Sequence, residues 1–116
     1  MRSFRDLGCD LTRLRVLHAA RCGIADLDGA CALVALEELY LSFNDVADCS
    51  ALMFFEELQV LDLESNRVED PAGLGALGTC DKLACLTLLG NPVARRGDYV
   101  ARVREQVPGL EALDDT

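Results

Sequence analysis

The sequence predicts an α/β solenoid, a right-handed horseshoe with a parallel β-sheet on its concave face and short 3₁₀ or helical turns on its convex side. Three observations carry this. A leucine pattern recurs four times, an Asn or Cys falls at the same point of every copy, and the C-terminal stretch switches to helical spacing and then stops.

The pattern is clearest in "LEELYLSFNDV", where Leu36, Leu39, Leu41, Asn44 and Val46 read L-x-x-L-x-L-x-x-N-x-V. That spacing fits neither a plain amphipathic helix nor a strand buried on one face. Leu58, Leu61, Leu63, Asn66 and Val68 repeat it, as do Leu83, Leu86, Leu88, Asn91 and Val93. Leu14, Leu17, Ala19, Cys22 and Ile24 form a looser copy. The Asn/Cys position falls at 22, 44, 66 and 91, giving periods of 22, 22 and 25. Self-similarity at this period marks a leucine-rich repeat array. The repeats run 14–35, 36–57, 58–82 and 83–93, followed by a cap at 94–116, in one domain covering 1–116.

Each L-x-L segment makes a short strand with inward leucines, and successive strands stack ~4.8 Å apart. The turn that follows buries backbone groups between coils. An Asn amide both donates and accepts there, so Asn44, Asn66 and Asn91 are expected to form a ladder, with Cys22 a weaker sulfur donor in the same slot. Beyond each turn apolar residues return every three positions: Ile24, Leu27, Ala30, Leu33, Leu36, then Val46, Cys49, Leu52, Phe55, Leu58. A three-residue step suits 3₁₀ turns. The third repeat carries three extra residues in "EDPAGLGALGTCDKL", with Leu74, Leu77, Cys80 and Leu83 keeping the phase. The insertion is expected on the convex side as a slightly longer helical turn.

A solenoid exposes its core at both ends unless something covers it. Asp98 reads as the N-cap of a C-terminal helix. Tyr99, Val100, Val103 and Val107 form its apolar stripe, and Pro108 with Gly109 stops it. Leu110 and Leu113 are expected to close over the last strand, with Arg95, Arg96, Arg102 and Arg104 on a solvated face. At the other end Phe4, Leu7, Leu11 and Leu14 read like the tail of an earlier coil, with no cover before them. The expectation is a fragment of a longer protein, with Met1 an added start and an apolar end that could pair two molecules.

Eleven basic against twenty acidic residues give a net charge of −9, which opposes nucleic-acid binding. The six cysteines, at 9, 22, 31, 49, 80 and 85, form no C-x-x-C, and His18 is the single histidine, so no zinc site is indicated. "MRSFRDLGCDL" has no apolar signal region, and the thiols read as free, mostly buried small hydrophobes. No apolar run approaches the ~20 residues of a membrane helix.

The positions flanking each inward strand leucine face the concave side. They give four rows: Val16, His18, Ala20 and Arg21; Glu38, Tyr40, Ser42 and Phe43; Val60, Asp62, Glu64 and Ser65; Cys85, Thr87, Leu89 and Gly90. Aromatics at positions with no core duty call for a reason. Tyr40 and Phe43, with Val16, Val60 and Leu89, are expected to make an apolar patch rimmed by Arg21, Glu38, Asp62 and Glu64, a composition that suits a protein interface. The structural alternative is that Phe43 tucks against the next coil. His18 shares a column with Tyr40 and Asp62, but no Ser or Cys nucleophile is matched to it, so recognition rather than chemistry is expected. No cofactor, metal or small-molecule substrate is implied.

The 22-residue repeat resembles the SDS22-like class of leucine-rich repeats. The ending "GNPVARRGDYVARVREQVPGLEALD" is similar to the cap motif that closes that class, at Gly90, Asn91, Pro92, Tyr99, Val103, Pro108, Leu110, Leu113 and Asp114. The stretch "SFRDLGCDLTRLRVLHAARCGIADLDG", with Cys22 in place of the usual Asn, resembles the family of leucine-rich repeat-containing protein 56, ciliary proteins needed for assembly and transport of outer dynein arms. The Ala- and Arg-rich composition departs from that family. The resemblance implies a non-catalytic adaptor of the cytoplasm and cilium, with dynein-arm or ciliary-transport components as partners. Other SDS22-like members imply a phosphatase-regulatory subunit binding through its concave face, and splicing-factor relatives imply an RNA association that the charge opposes.

Overall fold

The computed structural model describes residues 13–27, 33–69 and 71–114, without the side chains of 71–74. Five short strands form one parallel sheet in chain order: β1 (Val16–His18), β2 (Glu38–Tyr40), β3 (Val60–Asp62), β4 (Cys85–Thr87) and β5 (Ala112–Leu113). The register follows the repeat. Leu17, Leu39, Leu61, Leu86 and Leu113 stand opposite one another in turn. This is the leucine-rich repeat solenoid expected from the leucine spacing, with one strand more than the four repeats supply.

The inward leucines and the three-residue phase build one continuous core. Ile24, Leu36, Leu39, Leu41, Val46, Leu52, Phe55, Leu58, Leu63 and Leu88 are fully buried. Each such side chain removed from water contributes about 2 kcal/mol. Leu14 and Leu17 are only half-buried, packed against the edge of this core. On the convex side the chain makes 3₁₀ turns at Ser50–Phe54 and Pro71–Thr79. The second contains the insertion, and its Leu77 and the following Cys80 and Leu83 are buried in phase. The expectations for Met1, Phe4, Leu7, Cys9, Leu11, Ala30, Cys31 and the Leu74 side chain fall outside the described residues.

The asparagines join the coils. Asn66 Nδ2 donates to the carbonyls of Leu41 (2.9 Å) and Leu63 (3.0 Å), while its Oδ1 accepts from Val46 N–H (3.0 Å). Asn44 and Asn91 repeat this one coil earlier and later. Cys22 makes only a long Sγ contact to the Ala20 carbonyl (3.5 Å), and its own N–H donates to Asn44 Oδ1 (3.0 Å). The slot tolerates Cys at the first coil because the Asn of the second coil serves the turn on both sides.

The cap differs from its prediction in three respects. α1 (Tyr99–Gln106) begins after Asp98, but that carboxylate makes no capping bond. It lies 3.2 Å from Arg102 and 3.7 Å from Arg96 instead, satisfying two exposed cations. Val100 is 52% exposed, because Tyr99, Val103 and Val107 alone face the core. Beyond Gly109 the chain forms β5, pairing with β4 through the Ala84 and Leu86 carbonyls, so the closing residues extend the sheet as well as covering it.

Among the described residues Cys22, Cys49, Cys80 and Cys85 are free thiols. Cys85 is exposed, as its place in the concave row implies, because the strand alternation turns it away from the core. Burial pushes the Cys49 thiol up from 9.0 to about 12, and moves Cys80 the same way. Burial favours both thiols over their thiolates, so the Cys49 contribution is complete below pH 9 and is lost as pH rises from 9 towards 12, and Cys80 acts in the same direction. The urea midpoint is therefore expected to fall over that interval, and Cys49→Ala to flatten the fall. Asn66→Ala strands the Val46 N–H and takes one of two amide donors from each of the Leu41 and Leu63 carbonyls, and is expected to cost about 2 kcal/mol in the same unfolding measurement.

Candidate functional site

The sheet register brings the predicted residues into columns. Val16, Glu38, Val60 and Cys85 form one, and His18, Tyr40, Asp62 and Thr87 the next. Parallel pairing places neighbours in a column ~4.8 Å apart, so rings in adjacent coils stack without any further device. His18 and Tyr40 do so, with centroids 4.4 Å apart and planes 2° from parallel. The Tyr40 hydroxyl donates to Glu38 Oε1 at 2.6 Å, and this bond, with partial burial behind it, raises the phenol above its ordinary 10.0. Asp62 Oδ1 accepts the Glu64 N–H at 3.0 Å.

The last position of each row is fixed by the backbone. Arg21 (φ 57°), Phe43 (φ 58°), Ser65 (φ 56°) and Gly90 (φ 79°) all occupy the left-handed region, each directly before the Asn/Cys position. The N–H groups of the first three donate to the Ser42, Glu64 and Leu89 carbonyls of the next coil. The turn thus requires a positive φ and asks nothing of the side chain. A β-carbon at Gly90 would lie 2.6 Å from Ser65 Oγ, so a side chain there would have to displace the serine hydroxyl as well as accept the positive φ. A ring at such a φ is uncommon, and the left-handed conformation costs roughly 1–2 kcal/mol without core packing in return.

Phe43 is 44% exposed and does not tuck against the following coil. The Arg21 guanidinium lies over its ring, 4.3 Å from the centroid. Val16 and Leu89 are similarly exposed, at 40% and 44%, while Val60 is half-buried. The predicted rim is therefore modified. Arg21 covers an aromatic face, Glu38 is engaged by Tyr40, and the Glu64 carboxylate enters none of the ion pairs found among the described residues. Thr87 closes the central column, half-buried.

The sequence reading passed over Met53 and Phe54, 51% and 47% exposed on the convex 3₁₀ turn. Their signal was available: the three-residue phase assigns Leu52 and Phe55 to the core and leaves the two between them outside. Among the described residues no group of His, Cys, Asp and Glu could hold a metal ion, and no helix is long and apolar enough to cross a membrane.

No family model matches the chain. Leucine-rich repeat-containing protein 56 of Homo sapiens is 47% identical over 125 residues, covering 97% of this chain. The chain belongs to the family of leucine-rich repeat-containing protein 56. It spans 23% of the length of that relative. Leucine-rich repeat-containing protein ODA7 of Chlamydomonas reinhardtii is 37% identical over 75 residues, covering 64% of this chain and 16% of that protein. Among solved structures, the Drosophila melanogaster SNF/U2A′ complex superposes with a TM-score of 0.81 at 24% identity, over 95% of this chain and 64% of that one. That likeness establishes the fold.

If the Phe43 ring has no packing duty, Phe43→Gly relieves the backbone while losing the Arg21 contact. The two effects are each about 1 kcal/mol, so thermal stability is expected to change little. Phe55→Ala, which empties the core, is expected to cost 3–5 kcal/mol in the same melt.

Proposed function

We propose that this chain is the repeat portion of a non-catalytic scaffold whose concave face holds an elongated protein partner, and that the scaffold serves assembly or transport of ciliary outer dynein arms. One observation carries the binding half of the reading. An aromatic ring is held exposed at positive φ, on the same face as a stacked His18–Tyr40 pair whose tyrosine is bonded to Glu38. A surface so ordered before contact loses little entropy on binding. Val16, His18, Arg21, Glu38, Tyr40, Phe43, Val60, Asp62, Glu64, Thr87 and Leu89 are the residues assigned to it. Phe43 and Tyr40 are its anchors, and the carboxylates are its rim.

The ciliary half rests on the family. The identity to leucine-rich repeat-containing protein 56 extends along nearly the whole chain, and the algal ODA7 protein is a more distant relative. The site of action in this reading is the cytoplasm and the cilium, with dynein-arm or ciliary-transport components as partners. The acidic and aromatic columns also favour a second reading, a regulatory subunit that holds a protein phosphatase against the same face.

The test compares proteins recovered from ciliated-cell lysate by the wild-type chain and by Tyr40→Ala/Phe43→Glu. Dynein-arm or ciliary-transport subunits recovered by the wild type alone are expected. Equal recovery by the double variant would remove the concave face from the reading. A phosphatase catalytic subunit in their place would select the second reading.

A further inference from the structure

The chemistry of the partner can be narrowed by what surrounds Phe43, on the assumption that the concave face binds a protein as proposed above. Along the positive-φ positions two large side chains, Arg21 and Phe43, are followed by the small Ser65 and then by Gly90 with none. The Arg21 guanidinium covers one face of the ring, and Arg21 belongs to the coil on the β1 side. The opposite face looks along the sheet over Ser65 and Gly90, where a β-carbon on Gly90 would run into the Ser65 hydroxyl. Two coil steps separate Phe43 from Gly90, a notch ~10 Å across. Glu64 lies in the column beside the notch, between Ser42 and Leu89, and Leu89 stands exposed on its far side.

We infer that this notch receives a lysine or arginine side chain of a partner protein, presented next to a large apolar residue. The second face of Phe43 would take the cation as the first face takes Arg21. The Glu64 carboxylate supplies the opposite charge, and Leu89 the apolar wall along which the aliphatic stem of such a residue lies. The face as a whole has the same sign. Its four rows carry Glu38, Asp62 and Glu64 against Arg21, on a chain whose net charge is −9. Electrostatic complementarity then selects a basic segment and rejects an acidic one.

The experiment selects random peptides displayed on phage against the wild-type chain, with the chosen peptides re-measured by fluorescence anisotropy. Three variants of exposed or half-buried residues accompany it: Phe43→Ala, Glu64→Lys and Arg21→Ala, each first shown to melt like the wild type. The expected peptides are enriched in Lys or Arg beside a large apolar residue. Glu64→Lys is expected to weaken them about tenfold, Phe43→Ala similarly, and raised salt further. Arg21→Ala, which removes a like charge and opens the first ring face, is expected to leave binding equal or tighter. Peptides without basic enrichment, or peptides indifferent to Glu64→Lys but lost on Phe43→Ala, overturn the inference and leave the concave face standing. Peptides lost by neither variant overturn both, and failure to select any peptide overturns recognition of a basic segment.

Discussion

The arrangement depends on a side-chain amide that bonds to two coils at once. Each of Asn44, Asn66 and Asn91 donates to a carbonyl of its own turn and to one in the preceding coil, while its oxygen takes an N–H of that preceding coil. Strands of three residues have too few ladder bonds to hold register unaided. The amide supplies the missing constraint at the point where the chain leaves the sheet, and buried backbone groups there would otherwise lack partners. At the last coil Asp114, in register with Thr87, supplies a carboxylate where the earlier strands supply a backbone carbonyl. Its Oδ1 accepts the Leu88 N–H at 2.7 Å and its Oδ2 the Tyr99 hydroxyl at 2.8 Å. An acceptor on both sides suits the last strand, where the carboxylate links the β4 edge to a phenol of the cap helix. Burial and this bond raise Tyr99 well above the usual range, keeping the hydroxyl a donor.

The same turn creates the variable surface. Because the residue before the ladder position must adopt positive φ, its side chain leaves the core, and the coils fill the place with Arg21, Phe43, Ser65 and Gly90. Backbone geometry is constant there while chemistry is not. A repeat array can therefore change what it binds without disturbing how it folds, since stability comes from the inward leucines and from the interfaces between neighbouring coils. In this chain that freedom places an aromatic ring between a guanidinium and a notch, beside a stacked His–Tyr pair.

Sheet and site are also mechanically continuous. The N–H groups of Arg21, Phe43 and Ser65 donate to carbonyls of the next coil. The concave side chains are thus carried on backbone that is hydrogen-bonded from coil to coil, with no free loop among them. Such a surface presents a fixed pattern of rings and charges, which suits recognition of an extended partner.

The sequence by itself determined the coil. The leucine spacing, the Asn positions and the three-residue apolar phase each describe local geometry repeated in register, and repetition makes a local pattern global. The concave columns were legible for the same reason, since a parallel sheet in register converts sequence offset into lateral distance. Three features were not legible. β5 forms from Ala112 and Leu113 on the β4 edge, where only the opening L-x-x-L of the repeat, Leu110 and Leu113, is present and no Asn follows to mark a coil. Asp98 pairs with arginines in preference to capping its helix, and Val100 faces solvent. The pairing of Arg21 with Phe43 was decided only by tertiary structure. Both residues were assigned to the concave face, but the ring's orientation follows from a positive φ that the leucine pattern does not encode, and a side chain's direction there is set by the backbone of the assembled turn.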